Sequence, residues 1–212
     1  MSYIRKMVHV QITNLTKRFG YRLVLDRVQF QASSEILGIS GKNGSGKTTL
    51  LRCLAGLMKP SSGTVEWYHK DTLLTREQQR ENIGLSGPWL QLYRELSCRE
   101  NLMFLARVHT LAHPDQAVED TLQQVGLSAN ADKPYGRLSS GQQQRLKLAS
   151  AMLHQPQALL LDEPGTNLDQ AGIEATRALM QTWRSTHRLV ILASNNPQEL
   201  DACDRVISIT HP

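Results

Sequence analysis

Residues 41–48 read Gly41-Lys42-Asn43-Gly44-Ser45-Gly46-Lys47-Thr48. They satisfy the phosphate-cradling pattern G-x-x-x-x-G-K-[ST] at every position. Phosphate carries dense negative charge, so a protein meets it with many donors at short range. Glycines at 41, 44 and 46 let backbone N–H groups turn inward with no Cβ in the way. Lys47 has the reach for β- and γ-phosphates, and the Thr48 hydroxyl suits Mg²⁺. Ile36-Leu37-Gly38-Ile39 ahead of the loop reads as a short buried strand. Thr49 to Leu57 behind it reads as a helix whose N-terminal dipole favours an anion. A glycine-rich turn can match such a pattern by chance. The flanking strand and helix are the context that a nucleotide site requires.

Working outward, 212 residues are enough for one large domain. With 40% hydrophobic and 20% charged residues the chain has the balance of a globular protein rather than a disordered or fibrous one. No apolar run approaches the roughly 20 residues of a membrane span, and Met1 to Met7 lacks the apolar core of a signal peptide. A cytoplasmic location is expected. Cys53, Cys98 and Cys203 are odd in number and widely spaced, which suits reduced thiols rather than bridges or a metal site. The net charge of +5 could suit nucleic acid or an anionic membrane surface. Because the basic residues are scattered and aromatics make up only 5%, nucleic acid is not an expected partner.

Val8 to Ile12 alternates apolar and polar residues as a half-buried strand does. Leu23-Val24-Leu25 and Val28 to Ala32 read as two further strands, with a turn at Phe19-Gly20-Tyr21, so an antiparallel β layer precedes the phosphate loop. Pro60 to Gly63 is a turn before a strand at Thr64 to Tyr68, and Ile83 to Ser86 is another strand. Arg99 to Leu111 and Asp115 to Val125 have helical spacing, the second with Pro114 at its entry and Gly126 at its exit. Ser139 and Gln142 form a capping box that opens a helix. Ala158 to Leu161 is a continuous apolar run, as expected of a parallel strand buried on both faces, and it ends in Asp162-Glu163-Pro164. A helix from Gln170 to Ser185 and strands at Arg188 to Ala193 and Val206 to Ile209 complete the chain. The expected fold is α/β, a mostly parallel core sheet with an antiparallel β layer and a helical subdomain. It forms a single domain over 1–212, with a core lobe of 1–87 and 136–212 and a helical subdomain of 88–135. The phosphate loop belongs at the carboxyl ends of the strands.

Mg²⁺ on a triphosphate needs a carboxylate held at a fixed place, and Asp162 at the end of a buried strand provides one. Glu163 beside it is the candidate base that polarises water for in-line attack on the γ-phosphate. Ser139, Ser140, Gly141 and Gln142 open a helix with a capped N-terminus and a glycine, a second potential anion site.

Gly41 to Thr48, Leu138 to Gln142, Leu159 to Pro164 and Asn167-Leu168-Asp169 come in the order found in ATP-binding-cassette (ABC) ATPases, and the chain resembles that family over nearly its whole length. The resemblance implies a phosphate-loop NTPase fold, ATP and Mg²⁺ as ligands, and ATP hydrolysis. It implies two nucleotide-binding domains packed head to tail, with a homodimer expected, so that Ser139, Gly141 and Gln142 complete the partner's site. It makes Asp169 the acidic residue of the dimer-contact loop and Phe19 the aromatic that stacks on adenine. It assigns Lys42, Asn43, Ser45, Lys47, Thr48 and Thr49 to phosphate binding, and Thr48 and Asp162 to the metal. Two departures stand out. Asn195 occupies the place where the family carries a γ-phosphate histidine, and an asparagine donates a hydrogen bond without charge. Pro88 occupies the place of a glutamine or acid that links the metal to the membrane partner; Gln91 could substitute in a remodelled loop.

The leading expectation is the ATPase subunit of a membrane transporter, at the cytoplasmic face of the membrane and bound to separate membrane-spanning permease subunits. Leu92 to Leu102 looks like that of export-type members, and the compact length is similar to that of the ATPase of the haem exporter of cytochrome c maturation. A soluble ABC ATPase and a slow-hydrolysing, ATP-dependent regulatory switch stand as alternatives.

Overall fold

The computed structural model describes residues 8–210. In β1 (Val8–Phe19), Val8, Val10 and Ile12 point inward. Asn14 then takes a left-handed turn at φ 49°. The bulge shifts the phase, so that Leu15 and Thr16 are both buried. The strand therefore runs on to Phe19, beyond the alternation that marks it in the sequence. Its antiparallel neighbour β2 (Arg22–Ser33) is one strand where the sequence suggested two. The interruption at Arg27, φ 44°, is absorbed because its N–H bonds to Thr16 Oγ1 at 3.2 Å. β4 (Ser62–His69) and the short β5 (Thr72–Leu73) complete an antiparallel sheet of order β2-β1-β4-β5.

The second sheet is parallel throughout. It comprises β3 (Ile36–Ser40), β6 (Ile83–Ser86), β7 (Ala158–Asp162), β8 (Leu189–Ser194) and β9 (Arg205–Ser208), in the order β6-β7-β8-β3-β9. Successive residues of its strands feed two different cores, as the pleat requires. Leu37, Ile39, Leu160 and Ile191 join the core shared with the antiparallel sheet and with Leu50, Leu51 and Leu54 of α1 (Lys47–Leu54). Ile36, Leu159, Leu161, Val190 and Leu192 face the opposite core. That core is filled by α3 (Cys98–Val108), α4 (Pro114–Gln124), α5 (Ser140–Met152) and α6 (Gln170–Ser185). Burial on both faces explains the unbroken apolar runs of β7 and β8.

Two short helices have no apolar stripe and escape a periodicity search. α2 (Arg76–Asn82) is opened by a capping box between Thr75 and Gln78, and α7 (Pro197–Leu200) is capped by Asn196. Cys53, Cys98 and Cys203 are free thiols, and burial pushes each pKa up, that of Cys203 to about 11. Among the described residues no helix is long and apolar enough to cross a membrane.

Candidate nucleotide-binding site

Residues at the carboxyl ends of β3 and β7 line a cleft of about 530 Å³, with Asn43, Lys47, Thr48, Asp162 and Glu163 on its walls. The phosphate loop wraps the start of α1. Gly46 sits at φ 103° as the N-cap, where a Cβ would come within 2.8 Å of Leu25 Cδ2. At Gly41 a Cβ would meet Ser45 Oγ and, at 2.6 Å, the carbonyl of Ile209. No side chain caps α1, and its first turn holds no acidic residue. Its leading N–H groups are thus left to an anion. Ser45 Oγ is buried in the loop without a hydrogen-bond partner among the described residues. These features fit a phosphate chain.

Lys47 Nζ donates to the carbonyls of Gly41 (2.7 Å) and Lys42 (3.3 Å) and lies 3.8 Å from Glu163 Oε1. The lysine side chain is only 5% exposed, so its charge is held in a poorly solvated place and directed at the cleft. Thr48 Oγ1 donates to Asp162 Oδ2 at 2.7 Å, and Trp89 Nε1 donates to the same oxygen at 3.2 Å. A hydroxyl oxygen beside a buried carboxylate is the hard-oxygen donor set that suits Mg²⁺. Glu163 sits at φ 47°, a left-handed conformation that costs a non-glycine residue on the order of 1 kcal/mol. Its N–H is fixed to the carbonyl of Ala193 at 2.8 Å. The carboxylate is therefore presented to the cleft by the backbone of the adjacent strand.

Of the other expected residues, Phe19, Gly44, Gly46 and Thr49 line the cleft, and Lys42 is exposed on the loop. The Phe19 ring is half exposed and carries the Lys17 ammonium 5.1 Å from its centroid. Asn195 does not line the cleft; its amide donates to Asn43 Oδ1 at 2.8 Å, which ties the end of β8 to the phosphate loop. Ser139, Ser140, Gly141 and Gln142 lie outside the cleft lining. Ser139 and Gln142 cap α5 reciprocally at 3.2 and 3.1 Å. Asp169 caps α6 by accepting the Gly172 N–H at 2.9 Å. Pro88 does line the cleft, whereas Gln91 faces a separate groove with Tyr93 and His154.

Sequence reasoning misses two side chains. Trp89 reaches Asp162 from a loop with no regular pattern. Glu199, 7% exposed, accepts the Gly165 N–H at 2.6 Å and the Ser194 hydroxyl. It braces the segment after Glu163 against the end of β8. Burial pushes its pKa up and the Glu163 charge adds to this, while the two hydrogen bonds oppose it. The available signal was an acid in the first turn of a helix with Asn196 as cap and Pro197 at its start.

Set against known proteins, residues 25–166 match the ABC transporter family model. The chain belongs to the ABC transporter family, as one of its ATP-binding cassettes. It is 33% identical to the cytochrome c biogenesis ATP-binding export protein of Vibrio cholerae, over 91% of this chain and 93% of that one. It is 34% identical to the bacitracin transport ATP-binding protein of Bacillus licheniformis, over 88% of this chain. That match spans about three fifths of the length of the bacitracin relative (61%). A dimeric ATP-binding cassette solved in a post-hydrolysis state with ADP and Pi superposes with a TM-score of 0.85 at 24% identity, covering 95% of this chain and 94% of that one, and shares the fold.

Proposed function

We propose that this chain is the ATP-hydrolysing subunit of a membrane exporter, working as a head-to-tail dimer around two ATP molecules and driving separate transmembrane subunits from the cytoplasmic face. The observation that carries the reading is the meeting of Lys47, Thr48, Asp162 and Glu163 on one cleft at the open N-terminus of α1. Phosphoryl transfer needs positioning and charge stabilisation more than covalent chemistry. The loop N–H groups and Lys47 hold the phosphates, and Thr48 and Asp162 hold Mg²⁺. The metal, when bound, neutralises charge on the phosphate oxygens. Glu163 takes the proton of the attacking water. Phe19, beside the phosphate loop, offers a face to the adenine. Ser139, Gly141, Gln142 and Asp169 lie outside the chain's own cleft, which suits residues that act on a partner's nucleotide.

Export as the direction is supported by the relatives, one named as an export protein and one as a transport protein. The groove lined by Leu90, Leu92, Tyr93, Phe104 and His109 gives a membrane subunit an apolar place to seat. Asn195 favours a second reading, a slow-hydrolysing switch, because it puts no positive charge beside the phosphate loop. ATP turnover measured with and without membranes containing the co-purifying permease separates the two. Turnover that rises with the permease supports the exporter. Tight ATP binding with no turnover in either setting overturns it in favour of the switch.

A further inference from the structure

The loop after β6 brings an indole against the carboxylate assigned to the metal. Trp89 Nε1 donates to Asp162 Oδ2 at 3.2 Å, the oxygen that also accepts from Thr48. Room for this approach exists because residue 87 is glycine: a Cβ there would stand 2.8 Å from Trp89 Nε1 and 3.0 Å from Asp162 Cβ. One face of the ring carries the Arg52 guanidinium of α1, 4.7 Å from the centroid. An indole N–H is a donor only and cannot ligate a cation. Pro88, beside it on the cleft wall, offers no polar side chain. What this loop contributes to the site is therefore a hydrogen bond to a ligand residue.

We propose that Trp89 is a positioning residue for the Mg²⁺ site, its indole N–H holding the Asp162 carboxylate in the orientation that meets Thr48. Thr48 has two tasks, to hold Asp162 and to offer its oxygen to the cation, whereas Trp89 has only the first. Partners that orient a ligand in this way typically govern affinity for the metal by about 10- to 100-fold. Arg52 and Gly87 then serve Trp89, the one by fixing the ring plane and the other by leaving space. The inference rests on the nucleotide reading of the cleft.

The test is Mg²⁺ titration of the full chain with a fluorescent, non-hydrolysable ATP analogue, for the wild type, Trp89→Phe and Trp89→His. Phenylalanine keeps an aromatic ring for Arg52 and removes the donor along with part of the ring volume. Histidine, smaller still, restores an N–H, so recovery in histidine separates the donor from the packing. The expected result is a Mg²⁺ midpoint raised about tenfold in Trp89→Phe, largely recovered in Trp89→His, with Mg²⁺-free affinity unchanged within about twofold. In the wild type, the indole ¹H–¹⁵N signal that vanishes in Trp89→Phe should move on adding Mg²⁺ with nucleotide. An unchanged midpoint, or an indole signal indifferent to Mg²⁺, overturns the inference while leaving the nucleotide site standing. Failure of the wild type to bind the analogue at all overturns the reading of the cleft, and the inference with it.

Discussion

The side-chain amide of Asn195 donates to the side-chain carbonyl of Asn43 over 2.8 Å, joining segments 152 residues apart in sequence. One belongs to the phosphate loop and the other follows the end of β8, so a residue lining the cleft is tied to a neighbouring strand. If this bond stabilises the nucleotide-ready loop, Asn43→Ala and Asn195→Ala should not act independently. A double-mutant cycle on ATP affinity should give a coupling of about 0.5–1 kcal/mol, the net worth of one neutral hydrogen bond. Strict additivity would show the bond to be incidental.

Glu163 and Lys47 lie 3.8 Å apart but have separable tasks. Glu163→Gln keeps the shape and removes the base, so turnover should fall by about 10²- to 10⁴-fold while ATP affinity holds. Lys47→Ala removes a charged donor worth about 1.5–3 kcal/mol, and affinity itself should drop by roughly 10- to 100-fold. Single-turnover kinetics beside equilibrium binding distinguish the two. Turnover that survives Glu163→Gln would refute the role of the base.

Glu199 makes a prediction about stability. Glu199→Ala leaves the Gly165 N–H and the Ser194 hydroxyl without their acceptor in a buried place, at a cost of about 2–4 kcal/mol. Glu199→Gln, which keeps a carbonyl oxygen, should cost roughly half as much. The pH dependence has a definite sign. The folded-state pKa is raised above the ordinary 4.5 of a glutamate, mainly by burial. The native state then holds the proton more tightly than the unfolded chain, and this contribution to stability declines as pH rises from 4.5 through the raised value. Urea unfolding across that window should show a shallower fall for Glu199→Gln; parallel curves would remove Glu199 as the source.

His154 has the opposite sign. Its ring stacks on His109 with centroids 4.1 Å apart. Burial, then the His109 charge, lowers its pKa from 6.5 to about 4. The unfolded chain takes up the proton first as pH falls, so native stability drops between about pH 6.5 and 4, by up to about 3 kcal/mol. His154→Phe should flatten that part of the wild-type profile. An equal acid loss in both proteins would place the titration elsewhere.

Much of this was legible in the chain. The phosphate loop, the apolar run ending at Asp162, and the capping boxes at Ser139 and, in retrospect, at Thr75 are local signals, written by residues within one turn or strand of each other. The extension of β1 past Ile12 was not, because the bulge at Asn14 reverses which residues face inward and destroys the alternation a reader follows. Nor was the continuity of β2, which depends on a hydroxyl eleven residues away. In the site, Asp162 could be paired with Thr48 by pattern. Its bond to Trp89 depends on how an irregular loop folds and on the missing Cβ of Gly87. Glu199 lay hidden for a similar reason: it joins a loop N–H 34 residues away to a hydroxyl at the end of β8, and no periodicity connects them.

The order of the parallel sheet sets the gauge of the machine. β8 stands between β3 and β7, and Ala193 is in register with Ile39 on one side and Asp162 on the other. Thr48 and Asp162 are 114 residues apart along the chain, yet their separation is measured across one intervening strand, and the backbone of that strand suspends Glu163. Chain length between the two halves of the site is thus decoupled from the geometry of the site. Helices inserted between them can lengthen, shorten or be recast while the distance across the site stays the same.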